Sequence, residues 1–370
     1  MTSHLRPISL LSSIEDCGVY CFGHGTYASL FSLPEPSSLI SHAIKSFIPP
    51  ILPRWSRSTM NPHAFQWMGR ALNYFDTLSV VSFLRKGVDF GITGIPFGSR
   101  SSRRNGGSAE GLSYFKRVLI PDLIKNKKAV KVVNKKEKEK TVIIPIAAVE
   151  KTFKPSDKEQ TYRIIHDMSA PMVSPSGMPL SSLNDSTPWS NLPSVPLTRI
   201  SQVILVLVLL AQLGFQDSIH LTSVDLESAY YQVPLAQGQS TYLGFHFDGD
   251  VFRSLGLPFG SKASPSIFCR IMNLLWAFLC SLNILCFWYM DDSIIIGKTK
   301  ESCNNMTKLL CAVLVWAGVK KNDKKSKLVP TRVLDYIGIV FDLNLWTMSV
   351  RQKTIDKMVK LCSITILALS

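Results

Sequence analysis

The chain has 370 residues, of which 46% are apolar, enough to bury a sizeable core and to exclude a disordered polymer. Lys and Arg outnumber Asp and Glu by 41 to 26, giving a net charge of +15; such a surplus favours a polyanionic partner, because each cation set on a phosphate releases counterions. The 8 cysteines are scattered and Met1 to Leu10 holds no apolar core of signal-peptide length, so reduced thiols and an intracellular (cytoplasmic or nuclear) location are expected.

Taken in chain order, residues 1–110 are the most punctuated, with Ser- and Pro-rich stretches between short apolar pieces and no assignable chemistry. Cys17, Cys21 and His24 lie close together, but no second ligand pair of similar spacing follows, which argues against zinc. Arg100 to Gly107 reads as an exposed loop. From Lys116 to Lys140 the chain carries ten basic residues against three acids, either a solvated face or a basic finger flanking a groove. A strand is expected over Thr141–Val149, another over Tyr162–Met168, then a Ser- and Pro-rich connection from Pro171 to Pro196. Next come a helix over Ile200–Leu213, a strand over Ile219–Asp225, a hairpin region over Thr241–Arg253 and a helix from Ser264. A strand over Ile284–Tyr289 is followed by its partner, Ser293 to Gly297, a helix over Ser302–Ala317, and strands around Leu334–Phe341 and Trp346–Val350. Strands and helices mix without strict alternation, which indicates an α+β fold. No transmembrane segment is expected: Val203–Ala211 is too short, and Ile271–Met290 is broken by Asn273, Ser281 and Asn283 before it meets two aspartates.

Three pieces carry chemistry. In Trp288-Tyr-Met-Asp-Asp-Ser-Ile-Ile-Ile, two adjacent acids lie between apolar β-forming runs, so Asp291 and Asp292 are expected at a hairpin turn. Two like charges there are costly unless a cation neutralises them, though an ordinary Asp-Asp turn has the same pattern. In Leu221-Thr-Ser-Val-Asp-Leu-Glu-Ser-Ala-Tyr a strand ends at Asp225, which could equally cap a helix. Set across a sheet from the Asp-Asp turn, Asp225 would complete a two-metal site suited to phosphoryl transfer. Between them, Leu257-Pro-Phe-Gly-Ser-Lys-Ala-Ser-Pro is a tight turn that opens a helix.

Asp225, Leu-Pro-Phe-Gly and Tyr-Met-Asp-Asp stand in the order and spacing of motifs A, B and C, and roughly residues 140–350 resemble reverse transcriptases. With Arg163-Ile-Ile-His-Asp-Met-Ser, Val333-Leu-Asp-Tyr-Ile-Gly-Ile and, faintly, Leu84-Arg-Lys-Gly-Val-Asp-Phe-Gly, the resemblance is to DIRS-type (tyrosine-recombinase) retrotransposons. It implies a right-hand polymerase: an N-terminal extension (1–110), a fingers-like basic region (111–200), a ferredoxin-like palm (201–345) and the start of a truncated thumb (346–370), with at most one helix over Gln352–Leu361. It also implies RNA-directed DNA synthesis, with dNTPs added to a primer 3′-hydroxyl on an RNA or DNA template, Mg²⁺ as cofactor (Mn²⁺ as the alternative) and no membrane.

By the same resemblance Asp225 and Asp291 would ligate the metals, with Asp292 the weaker third and the Leu226 carbonyl an extra ligand. Arg163 would meet the triphosphate, where a planar donor fork is apt. Tyr230 would be the steric gate against a 2′-hydroxyl, with Tyr231 beside it as the alternative register. Phe259 and Gly260 would line the nucleotide pocket; many retroviral enzymes have Gln where Phe259 stands. Asp167 would adjoin the templating base, Lys262 would contact template or primer, and Tyr336, Ile337 and Gly338 would form the primer grip. Lys325, preferred over Lys324 and Lys327, would donate a proton to pyrophosphate. Two rivals remain: a catalytically inactive, truncated retroelement remnant that only binds nucleic acid, and a viral RNA-dependent RNA polymerase.

Overall fold

The computed structural model describes residues 60–151, 160–188, 197–352 and 355–356. Cys17, Cys21, His24, the first Ser- and Pro-rich stretches and most of Gln352–Leu361 lie outside them. At its centre is a four-stranded antiparallel sheet made of β1 (His220–Asp225), β2 (Cys286–Tyr289), β3 (Asp292–Gly297) and β4 (Lys327–Thr331), in the order β2-β3-β1-β4. A helix, Ser264–Ser281, precedes the β2–β3 hairpin, and another, Lys300–Trp316, follows it. The connectivity is therefore β-α-β-β-α-β, the ferredoxin-like arrangement.

The sequence dictates these elements locally. Ser264–Ser281 starts with Pro265 in its first turn and repeats apolar residues at helical spacing (Ile267, Phe268, Ile271, Leu274, Leu275, Phe278), all buried. It is the one helix among the described residues long and apolar enough to cross a bilayer, yet that buried stripe is spent on the core. Thr299 caps Lys300–Trp316 by accepting from the Ser302 amide at 3.1 Å, and Met306, Leu310 and Val313 turn inward. Strand β4 holds Pro330 and lies at the sheet edge, the position where a missing amide donor is tolerated. Mixed polar composition hides this strand in the sequence, and it was not expected there.

One face of the sheet, with Leu221, Ile294 and Ile296, packs under Val203, Val206, Leu207 and Leu210 of the Ile200–Leu210 helix. The expected single strand around Leu334–Phe341 is two, β5 (Val333–Tyr336) and β6 (Ile339–Asp342), because Ile337 and Gly338 both take positive φ and reverse the chain. β7 (Thr347–Val350) completes an antiparallel meander, so the described start of the expected thumb region is strand.

The other face carries the largest cluster, and residues 60–95 belong to it. Helices Pro62–Ala71 and Thr77–Lys86 place Phe65, Met68, Val80 and Leu84 in one core with the Ser264–Ser281 helix. Asp76, 7% exposed, accepts from Arg270 Nε at 2.7 Å and Nη2 at 2.5 Å, a bidentate pair that fixes this docking. The fingers-like part joins the sheet Ala129–Val132, Asp250–Ser254 and Gly244–Phe247 to the hairpin Ile146–Glu150/Tyr162–His166 around Phe115, Phe245 and Phe252. Most of the Lys116–Lys140 run is exposed there.

Candidate active site

Strand register brings the carboxylates together. Asp292 pairs with Tyr289 on one side and directly with Asp225 on the other, so Asp225 and Asp292 share a face of the sheet. Met290 and Asp291 form the two-residue turn, and Met290 takes φ +54°, as the tight turns of such hairpins demand. The Leu226 amide donates to the Asp291 carbonyl at 2.9 Å, which clips the turn to the end of β1.

Electrostatics mark the cluster as built for a cation. Burial, then the charges of Asp291 and Asp225, push the Asp292 carboxyl up to about 7. Burial and the Asp225 charge also raise Asp291, opposed by Lys325 and Arg163. Asp225 Oδ1 is buried without a hydrogen-bond partner, while its Oδ2 accepts from the Lys325 ammonium at 3.2 Å. An orphaned buried carboxylate oxygen beside two desolvated carboxylates fits a hard divalent ion. Among the described residues no group of three Asp, Glu, His or Cys side chains is placed to hold an ion.

The nucleotide side is aromatic and basic. Tyr230, half-buried in a short 3₁₀ turn, packs on Phe259 with ring centroids 4.9 Å apart, and the Arg163 guanidinium stands over the same Phe259 ring at 5.6 Å. Tyr231 turns instead into the fingers-like core, where its hydroxyl is buried unpaired; this separates the two registers. Gly260 has φ +106°, and a Cβ there would collide with the His166 carbonyl, so only glycine lets the Leu-Pro-Phe-Gly loop lie on that strand. The His166 amide donates to the Phe259 carbonyl at 2.8 Å.

Other expected residues are placed as follows. Asp167 pairs with Arg103 at 3.1 Å, and Lys262 is exposed with its amide donating to Asn184 Oδ1 at 3.0 Å. The Tyr336 ring is 2% exposed, and its hydroxyl donates to the Phe287 carbonyl at 3.4 Å. It anchors the meander under β2, and only Ile337 and Gly338 form the turn beyond it.

Sequence reasoning missed three polar residues. Asn184 donates to Ser169 Oγ and to the Gly260 carbonyl besides accepting from Lys262, and so fastens the nucleotide loop. Gln232 donates to the Glu227 and Lys320 carbonyls and accepts from the Lys320 amide, tying the segment after Asp225 to the approach to Lys325. Lys151 is next to Arg163 on the same face of its hairpin; partial desolvation, then the charges of Arg163, Lys325 and Lys128, lower its pKa although it reaches solvent. All three are ordinary polar residues in the sequence, and the basic run before Thr141 was the nearest signal.

Comparison with known proteins agrees with this geometry. Residues 162–341 match the model of the reverse transcriptase (RNA-dependent DNA polymerase) family. The retrovirus-related Pol polyprotein of the Drosophila melanogaster transposon opus is 27% identical over 131 residues, 35% of this chain and 13% of that protein. That of transposon 412 is 33% identical over 115 residues, 31% of this chain and 8% of that one. Protein P of Heron hepatitis B virus is 26% identical over 117 residues, covering 31% and 15%. The chain thus aligns to less than a sixth of these relatives' length. Among solved structures, foamy viral protease-reverse transcriptase in complex with double-stranded DNA superposes with a TM-score of 0.51 at 15% identity, covering 85% of this chain and 51% of that one. Residues 162–341, just under half of the chain, are similar to the reverse transcriptase family, and the chain has the right-hand polymerase fold.

Proposed function

We propose that this protein is the polymerase of a retroelement of the DIRS type, adding dNTPs to a primer 3′-hydroxyl on an RNA template. The observation that carries the activity is the Asp225–Asp292 pair beside Asp291, with a buried, unpartnered Asp225 oxygen. The reading within retroelements rests on Leu257-Pro-Phe-Gly and Arg163-Ile-Ile-His-Asp-Met-Ser, and is finer than the family match.

Asp225, Asp291 and Asp292 would hold Mg²⁺, or Mn²⁺ in its place, with the Leu226 carbonyl as a further oxygen. When bound, the ions supply charge neutralisation at the attacking and leaving oxygens. Arg163 and Lys151 take the triphosphate, a fork and a point charge on neighbouring positions of one hairpin. The Tyr230 ring, braced by Phe259, fills the space a 2′-hydroxyl would need. Lys325 is within reach of Asp225 and can deliver a proton to the leaving pyrophosphate. Asp167 and Lys262 flank the template side, and Ile337 with Gly338 the primer side. Foamy viral protease-reverse transcriptase, with double-stranded DNA in its structure, supports a duplex in the groove of this fold.

Primer extension on an RNA template with Mg²⁺ and dNTPs tests the proposal beside an Asp291→Ala control. Metal-dependent extension is expected from the natural sequence alone; equal extension by the control would end it. Tyr230→Val should raise rNTP relative to dNTP incorporation, which also separates this reading from an RNA polymerase.

A further inference from the structure

Lys128 stands apart from the basic run that contains it. Its side chain is only 15% exposed, against 46% for Lys131. Its backbone is held on both sides, the amide donating to the Leu123 carbonyl at 2.7 Å and the carbonyl accepting from Leu255 at 2.9 Å. Its ammonium donates to Ser228 Oγ at 3.0 Å and to Asp122 Oδ2 at 3.4 Å. Asp122 is in turn steadied by Asn126, whose amide donates at 2.7 Å. A fingers-like lysine therefore reaches across to the turn between Asp225 and Tyr230.

Ser228 takes φ +49°, a left-handed conformation that a residue with a Cβ adopts at a cost of roughly 1–3 kcal/mol unless its surroundings hold it. The Lys128 ammonium is such a hold. Cations also gather here: Lys151 feels Arg163, Lys325 and Lys128 together, with Asp122 as the opposing charge. Asp122 is 48% exposed, so solvent screens it, and the three cations acting on Lys151 outweigh it.

We propose that Lys128 is a positioning residue for the polyphosphate end of the nucleotide, holding the Ser228 turn and adding a cation beside Lys151 and Arg163. The ligand chemistry is a chain of phosphates, as the tail of an incoming dNTP or as released pyrophosphate. The inference rests on the polymerase reading, and the tests keep the two apart.

With the full chain and saturating primer-template, Lys128→Ala should raise KM for dNTP about tenfold with kcat within about twofold, the loss of one charge-assisted hydrogen bond. Ser228→Ala should do the same more weakly, the double variant should be no worse than Lys128→Ala, and Lys128→Arg should recover part of the loss. A parallel rise in the inhibition constant of pyrophosphate assigns the contact to the product as well; an unchanged one assigns it to the dNTP alone. An unchanged KM in Lys128→Ala, additive effects in the double variant, or a matching fall in primer-template affinity would overturn the inference. Calorimetric titration with inorganic tripolyphosphate needs no turnover. Weaker binding by Lys128→Ala than by the natural sequence, at equal melting temperature, is expected even if extension fails, and equal binding rejects Lys128 regardless of activity.

Discussion

The hairpin between β2 and β3 reverses on Met290 and Asp291, and the one between β5 and β6 on Ile337 and Gly338. Both do so in two residues with a positive φ at the first, +54° at Met290 and +41° at Ile337. Around Asp291 lie Asp225, Lys325 and Arg163, and the Leu226 amide grips its carbonyl. Around Gly338 there is open space, and a Cβ there would meet nothing within 4 Å. The turns differ at the second residue, since Gly338 takes positive φ and Asp291 does not, and they differ further in how much of the neighbouring protein is committed to the turn. Embedded in other elements, the first can hold charge in partial desolvation, while the second can only present a backbone edge.

The sharpest way to break this contrast is to remove charge from the embedded turn. Asp225→Asn should lower primer extension by on the order of a thousandfold, while the melting temperature holds or rises because like charges no longer share the site. Comparable activity would mean the embedding is structural only. The support beneath that site is tested next: Gly260→Ala should cost about 3 kcal/mol, read as a lower urea midpoint, since both its φ and the His166 carbonyl oppose a side chain.

A pH series probes the same support. Burial lowers the His166 pKa to about 4 from its ordinary 6.5, and its Nε2 lies 2.9 Å from Ser254 Oγ. Between these values the unfolded chain binds the proton that the folded one refuses, so stability should fall as pH drops from 6.5 towards 4. The whole effect is at most about 3 kcal/mol. A His166→Gln variant should show a flatter melting-temperature profile over that window; an equally steep one would place the acid sensitivity elsewhere. At the bare turn the effect should be smallest: Gly338→Ala, at φ +90°, should cost about 1–2 kcal/mol with KM for dNTP unchanged.

What was legible in the sequence follows the same division. Asp225, Asp291 and Asp292 stood out because carboxylates inside apolar β-forming runs have no other economical place than a strand end or a turn. Gly260 was legible as a turn residue, but the His166 carbonyl that makes glycine compulsory is remote in the chain. Asn184 lay in a connection whose only visible property was Ser and Pro content, and its three partners exist only after folding. Ile337 and Gly338 were read for a role at the primer, yet the split they impose on the strand was missed because the flanking apolar residues run on without a break. Residues 60–95 offered only the faint Leu84-Arg-Lys-Gly-Val-Asp-Phe-Gly resemblance and no chemistry, since their contribution is a packing surface for a helix some two hundred positions later.

That contribution has a practical corollary. A protein trimmed to residues 162–341 would retain all three carboxylates and the aromatic pocket, but Arg270 would lose Asp76 and the long helix would lose Phe65, Met68 and Val80 from its flank. An ion pair broken on one side and an apolar stripe opened to water both work against solubility. The span that kinship recognises is shorter than the packed unit it belongs to, and the missing piece lies upstream, where the chain is least informative to read.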